Sequence, residues 1–318
     1  MQSLSLLNPK LDLVFKILFG RIENRELLIS LVSAVLNPPI PISSVDVLDP
    51  EMPRGGVDER GIVLDLRVRL DDGRQVNVEM QAQLRPAQRE RAVYHFARMY
   101  GSQLVRGEDY RDLRGCVVIF LCDFAADASD RFHSVFRFTE IHDRSTLSEQ
   151  AEIHFVELPR LAQDPTAKHE RFLSAWAKFL SASDEHDFDE LSKVDPIFRK
   201  ATMALKALSE DAKLRLLAER REAELLFQEY ERNVARREAQ EEGRREGLEE
   251  GRREGLQEGR REGLQQGMTD LLLKLLAQKF GEVPNTVRAR VEHASESDLV
   301  EWARRVLVEP TLTAVFRE

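Results

Sequence analysis

Two cysteines are all that this 318-residue chain carries. Cys116 and Cys122 lie six residues apart in one apolar run, where strand geometry keeps them from bridging, so both read as core thiols and a disulfide framework is excluded. Long apolar runs are also missing. Nothing approaches the roughly 18 consecutive apolar residues of a membrane helix. Residues 1–9 have neither the basic start nor the apolar stretch of a secretory signal, and the expected location is the cytoplasm. Positive charge is lacking overall: 47 Lys and Arg against 56 Asp and Glu give a net charge of −9, the opposite of the basic surface usual in nucleic-acid binders. The local balance differs. Between Leu84 and Gly107 five arginines (Arg85, Arg89, Arg91, Arg98, Arg106) face one glutamate, Glu90.

What is present is 42% hydrophobic and 32% charged, enough for a core together with long solvated helices. Apolar residues at helical spacing predict two helical pieces over residues 10–36, with Gly20 as a stop between them and Asn37-Pro38-Pro39 as the end. Ile42 to Leu48 is a short strand candidate. Leu64, Leu66, Val68 and Leu70 alternate with Asp65, Arg67 and Arg69; after Asp71-Asp72-Gly73, Val76, Val78 and Met80 alternate with Asn77, Glu79 and Gln81. Two alternating runs around an Asp-Gly turn predict a hairpin. Ala87–Val105 reads as an amphipathic helix, Cys116–Phe124 as a strand buried on both faces, and Phe132–Ile141 and Ile153–Leu158 as two further strands. From Lys168 onward the pattern is helical. The fold class is therefore α/β: a mixed sheet flanked by helices over 1–165, then an all-helical C-terminal region. That region divides into an extension (166–240), a charged repeat (241–267) and a small helical domain (268–318), the last with Gly281 and Ser295-Glu296-Ser297-Asp298 as cap signals.

Within the repeat, glycine recurs at every fourth position from Gly243 to Gly267. Each costs a helix about 1 kcal/mol against alanine, and pairs such as Glu241 with Arg245 return only about 0.2–0.5 kcal/mol. Two readings stand side by side: a helix whose glycine stripe lets a second copy approach closely, or a solvated charged linker.

The candidate chemistry sits on the hairpin. Glu79 and Gln81 share a face, and if Asp65 faces that side, two carboxylates converge in a way that suits Mg²⁺. The plain alternative is a half-exposed hairpin with a polar wet face. Against it, Asp65 lies inside Val63-Leu64-Asp65-Leu66, where an acid is costly unless paired or metal-bound. Asp12 and Lys16 lie one helical turn apart, either as an exposed ion pair or as additions to the acid cluster. Arg91, Tyr94 and Arg98 share a helix face that either holds phosphate or is simply solvated. The seven histidines show no metal-ligand spacing.

The segments from Asn8 to Gly20, Leu64-Asp65-Leu66, Val76-Asn77-Val78-Glu79-Met80-Gln81 and Arg91-Ala92-Val93-Tyr94 resemble the Rpn family of recombination-promoting nucleases, often described as transposases. The likeness continues through Gly107-Glu108-Asp109-Tyr110 and covers roughly residues 8–160. Leu271 to Phe316 resembles a helical domain of unknown function that often follows such nucleases. The resemblance implies a PD-(D/E)XK fold and Mg²⁺- or Mn²⁺-dependent cleavage of DNA. Asp65 would be the first acid, Glu79 the second, and the Met80 carbonyl a further metal ligand. Gln81 stands where such enzymes usually carry lysine; an amide orients water but brings no charge. A competing reading is a degenerate nuclease fold that binds DNA and assembles without cutting. A carboxylate-pair glycosidase fits poorly, because the hairpin region has few aromatics for a sugar platform. A homo-oligomer formed through the C-terminal region is expected, and no membrane association.

Overall fold

A computed structural model describes residues 5–52, 62–126 and 130–317. It divides after Gln228 into two compact units. The first is built on a six-stranded mixed sheet, and the chain order explains its faces. Helices α1 (Asp12–Gly20) and α2 (Arg25–Leu36) come first, then the short strands β1 (Val45–Val47), β2 (Glu51–Met52) and β3 (Ile62–Val63). The hairpin β4 (Leu66–Leu70) and β5 (Gln75–Gln81) follows, crossing over through α3 (Gln88–Gly101) to β6 (Cys116–Cys122), β7 (His133–Phe136) and β8 (Ala151–Glu157). The sheet order is β1-β4-β5-β6-β8-β7, and β2 pairs only with β3. Strand β5 runs antiparallel to β4 and parallel to β6, which runs parallel to β8.

Local chemistry sets these elements. Gly73 takes the left-handed conformation (φ 88°) that closes the hairpin, its N–H donating to the Leu70 carbonyl. Parallel neighbours on both sides bury β6 completely, as its unbroken apolar run requires. The sheet is covered on both faces. One face carries Val76, Val78, Met80, Ile119 and Leu121 against α1 and α2, and against three later helices, α4 (Arg171–Ser181), α5 (Glu185–Val194) and α6 (Pro196–Glu210). The other carries Val118, Phe120, Cys122 and Phe155 against Ala92, Phe96 and Met99 of α3. Residues beyond 165 thus share the core of the sheet. Trp176, fully buried, packs against Phe19, Phe179 and Phe198, and its indole N–H donates to Ser30 Oγ at 3.1 Å.

Helix α7 (Ala212–Phe280) begins in this unit and takes the whole glycine repeat into a helix. In the second unit its end packs with α8 (Asn285–Glu292), α9 (Glu296–Val308) and α10 (Leu312–Val315) around Leu272, Leu276, Val291, Leu299 and Trp302. Gly281 (φ 83°) ends α7 and Ser295 Oγ accepts from Asp298 N at the start of α9, as the cap signals predict. No described helix is long and apolar enough to cross a membrane.

Three expectations shift. Strand β7 stops at Phe136 rather than Ile141; Phe138 and Ile141 are exposed. Strand β1 is three residues long, and α3 ends at Gly101 rather than Val105. Both cysteines are free and buried, and burial pushes the Cys116 thiol up to about 11.

Candidate active site

Asp65 falls in the break between β3 and β4. Strict alternation over 64–70 would set Leu64 and Leu66 on one face, yet Leu64 packs with α3 and Leu66 with the core on the opposite side. The chain reverses its facing at Asp65. The ladder between β4 and β5 accordingly ends at Leu66 opposite Val78, and the next donor on β5, the N–H of Met80, goes to Asp65 Oδ2 at 3.1 Å. Within a strand the N–H and C=O of one residue point to the same side, so the Met80 carbonyl shares that edge with Asp65. The N–H of Asp65 donates to Glu79 Oε1 at 3.2 Å, which joins the two acids directly.

Glu79 is fully buried on the α3 face of β5, and five groups hold it. Oε1 accepts from Asn77 Nδ2 (2.9 Å) as well as from Asp65 N, and His95 Nδ1 lies 3.5 Å away, at the limit of hydrogen-bond reach. Oε2 accepts from Gln81 Nε2 (3.2 Å) and Arg91 Nη2 (3.3 Å). Arg91 Nε also donates to His95 Nε2 at 3.4 Å, which leaves the His95 proton on Nδ1, toward Glu79. Burial pushes the Glu79 carboxyl up, but His95, Asn77 and Arg91 together hold it below the usual range. Asp65 goes the other way. Burial first, then the charge of Glu79, raises it to about 6, against the opposing pull of Lys16 and the Met80 N–H.

Asp12, Lys16, Asp65, Glu79, Met80, Gln81 and Arg91 are brought together, though not in the pairs that spacing indicated, and Tyr94 and Arg98 do not line the hollow beside them. Asp12 and Lys16 do not pair with each other. Lys16 Nζ sits 2.9 Å from Asp65 Oδ1, and Asp12 accepts two hydrogen bonds from Arg221 on α7, from Nε at 3.1 Å and from Nη2 at 3.0 Å. Arg91 turns inward to Glu79, whereas Tyr94 is exposed and Arg98 half-buried on the same helix. A hollow of about 180 Å³ opens at the C-terminal end of β5, lined by Asp12, Asp65, Met80, Arg85, Arg91 and Arg221 among others. On the far side of Asp65 a second hollow of about 420 Å³ is lined by Lys16 and Gly20.

Sequence reasoning missed His95 and Arg221. The signal for His95 was available: four residues after Arg91, it falls on the same face of α3. None existed for Arg221, which arrives from more than 200 residues away.

Two carboxylates linked through a backbone N–H, a carbonyl on the same edge and three cationic side chains around a small hollow form an arrangement suited to holding a hard cation against a phosphate. Among the described residues no three His, Cys, Asp or Glu side chains converge on one point, so any such cation would rely on the carbonyl and water beyond the acid pair. No curated protein and no solved structure matches the chain. The model of the PD-(D/E)XK nuclease family transposase matches residues 9–231, from just before α1 to just past the end of the sheet unit, and the chain belongs to that family.

Proposed function

We propose that this protein is a metal-dependent DNA endonuclease whose cuts promote recombination or the movement of a mobile element, with Asp65, Glu79 and Gln81 at its active site. The observation that carries the reading is the forced proximity of two acids: Glu79, without solvent exposure, accepts the backbone N–H of Asp65, and its charge helps lift Asp65 to about 6. A divalent cation relieves that repulsion, and the donors offered, two carboxylates and the Met80 carbonyl, are the oxygens Mg²⁺ or Mn²⁺ takes. When bound, the cation polarises a phosphodiester oxygen and lowers the pKa of an attacking water.

The chain's own residues supply the rest. Asn77, Gln81, Arg91 and His95 fix Glu79 in one rotamer and keep it ionised. Gln81 is thereby spent on the acid rather than on solvent, and the charge usually carried at its position comes from Lys16, 2.9 Å from Asp65. Arg85, Arg91 and Arg221 line the hollow and suit a nucleic-acid phosphate there. Asp12 holds Arg221 in place.

Plasmid nicking with Mg²⁺, Mn²⁺ or EDTA tests the reading. Asp65→Ala and Glu79→Ala should each abolish metal-dependent cleavage in a folded protein, and wild-type-like cleavage by either variant would falsify the assignment. A second reading, a DNA-binding protein that no longer cuts, is favoured by one feature: both acids already have cationic partners, Lys16 and Arg91. DNA binding by a wild type that nicks with none of the metals would establish it.

The C-terminal region is proposed to assemble copies of the chain. Every glycine of the repeat has open space where a Cβ would stand, and Leu248, Leu256 and Leu264 are exposed beside them.

A further inference from the structure

On the β7 edge of the sheet, away from Asp65 and Glu79, four titratable side chains form one hydrogen-bonded row beside a hollow bounded by α2, β7, β8 and the start of α4. Its middle is two imidazoles, His133 at the start of β7 and His154 in β8, with side chains 7% and 3% exposed. His133 Nε2 meets His154 Nδ1 head-on at 2.9 Å, with ring centroids 5.2 Å apart, which is the geometry of a hydrogen bond. At the outer ends His133 Nδ1 is 3.0 Å from Glu170 Oε2, and His154 Nε2 is 3.2 Å from Glu152 Oε2. Glu170 occupies the N-cap position of α4, yet its carboxylate makes no capping bond and turns to His133 instead.

Three contacts need three hydrogens. A carboxylate only accepts, so each outer nitrogen carries an N–H, and one of the two inner nitrogens must carry the third. Two neutral imidazoles hold only two N–H groups between them, whereas an imidazolium beside a neutral ring holds three. The row is therefore complete only when the pair binds one extra proton; a second would set N–H against N–H. Counter-charge places that proton on His133. Glu152 is already offset by Arg137, whose Nε donates to it at 2.8 Å, whereas Glu170 has His133 as its partner. His133 then donates from both nitrogens, while His154 accepts at Nδ1 and donates from Nε2 to Glu152. Burial holds the His154 imidazole below its usual pKa against the bond from Glu152, in keeping with a neutral ring there. The other charged groups around the hollow, Arg131 before β7 and His169 and Arg171 beside Glu170, are exposed and screened by solvent. The α2 wall faces the row with Ser30, Ser33 and Asn37, and β6 places Ile119 beside His154, so neither brings charge.

We propose that the His133–His154 pair is a proton-operated latch: with one proton shared it ties β7 and β8 to the start of α4, and when that proton leaves, Glu170 is released. The hydrogen that can leave without breaking the inner bond or the Glu152 bond is the one on His133 Nδ1. Its loss turns a lone pair toward the Glu170 carboxylate, and the two repel. Glu170, 39% exposed, is the end of the row that can turn to water, whereas Glu152 is 14% exposed and bonded to Arg137. The closed form binds the proton, so the tie strengthens toward acid pH and is lost as pH rises through the titration of the pair. Two sites this close titrate together, and imidazoles are the side chains whose charge changes near neutrality.

The test uses the full-length chain labelled with ¹⁵N at histidine and titrated from about pH 5 to about pH 9. On the acid side, nitrogen spectra should show three N–H groups on His133 and His154 and one bare nitrogen, His154 Nδ1, coupled to His133 Nε2 across the hydrogen bond. As pH rises, one proton should leave in a single step from His133 Nδ1 while that coupling persists. Over the same step, hydrogen-exchange protection of the Ser174–Ala177 amides of α4 should fall about 10-fold, the effect of losing one charge-assisted bond, with the β6 amides unchanged as reference. Glu170→Gln offers His133 an amide that can accept or donate, so it should flatten the exchange step and move the proton loss to lower pH. Absence of coupling between the two rings, or loss of two protons in separate steps, overturns the shared proton. Protection of α4 that stays level as the proton leaves overturns the latch. Both readings come from the wild type and decide the matter whether or not the variant folds.

Discussion

Asp65→Asn should make the protein more stable, by an amount that depends on pH in a defined direction. The carboxyl of Asp65 rises from an ordinary 3.8 to about 6 in the folded chain, chiefly through burial and the charge of Glu79. A carboxyl that holds its proton more tightly folded than unfolded contributes its full stability below about pH 4 and loses it as pH rises through 6. At roughly 1.4 kcal/mol per unit, ionised Asp65 costs the fold on the order of 3 kcal/mol above pH 7. Asparagine keeps an oxygen for the Met80 N–H and carries no charge. It leaves Lys16 without its partner, but that amine is about one-third exposed and loses little. The variant should therefore exceed the wild type by at most about 1 kcal/mol near pH 4.5 and by about 2–3 kcal/mol near pH 7.5. Urea unfolding can be followed through the fully buried Trp176 of the sheet unit, with Trp302→Phe removing the only other indole. Saturating Mg²⁺ should then close the gap by stabilising the wild type alone, about 2.7 kcal/mol at 100 times Kd. A difference between variant and wild type that stays flat from pH 4.5 to 7.5, or a variant less stable at pH 7.5, would refute the reasoning.

Nicking itself should fall below about pH 6 as protons compete with the cation for Asp65, measurable as a rising apparent Kd for Mg²⁺ in a pH series. Lys16→Ala should lower the nicking rate about 10²-fold or more with little change in melting temperature, while Lys16→Arg retains part of it; equal rates in all three proteins would remove Lys16 from the site. Gln81→Lys should keep nicking or raise it, with a melting curve to distinguish an inactive folded protein from a destabilised one. Gly20→Val should cost about 1–3 kcal/mol by denaturant titration, because a Cβ there already meets Leu66 Cδ2 at 3.0 Å. Truncation near residue 240, beyond the sheet unit that ends at Gln228, should lower the oligomeric mass by light scattering and reduce linear relative to nicked plasmid; an unchanged mass would leave the repeat without an assembly role.

Local signals made much of this fold legible from sequence. The hairpin announces itself by alternation around Asp71-Asp72-Gly73, β6 by its unbroken apolar run, and the caps of α7 and α9 by Gly281 and Ser295, because each depends on residues a few positions apart. The two acids of the candidate site, Asp65 and Glu79, stood out for the same reason, lying on or beside that hairpin. The reversal of facing at Asp65 was not, since alternation continues through it in sequence and only the packing of Leu64 against α3 exposes the break. Partners set by tertiary placement were invisible as well: Lys16 for Asp65, Arg221 for Asp12, His133 for His154. Where spacing indicated an i,i+4 pair between Asp12 and Lys16, stronger oppositely charged neighbours from elsewhere in the chain took each member. Phe138 and Ile141 look like strand residues by type, but the ladder to β8 stops at Phe136 opposite Ile153, and the chain beyond folds back on itself through the Thr139–Thr146 bridge.

The short outer strands also bear on how the protein avoids clumping. The β6 sequence, Cys-Val-Val-Ile-Phe-Leu-Cys, is uncharged, proline-free and strongly β-prone, the composition that seeds cross-β stacking when it is laid bare. It sits two strands in from one margin of the sheet and three from the other, and those margins are only four and three residues long. So brief a margin offers an incoming chain few unpaired backbone groups to dock on. The vulnerable moment is thus confined to synthesis and unfolding, before β8 has closed over β6, and a lesion that frees β7 and β8 should show itself as insolubility sooner than as lost activity.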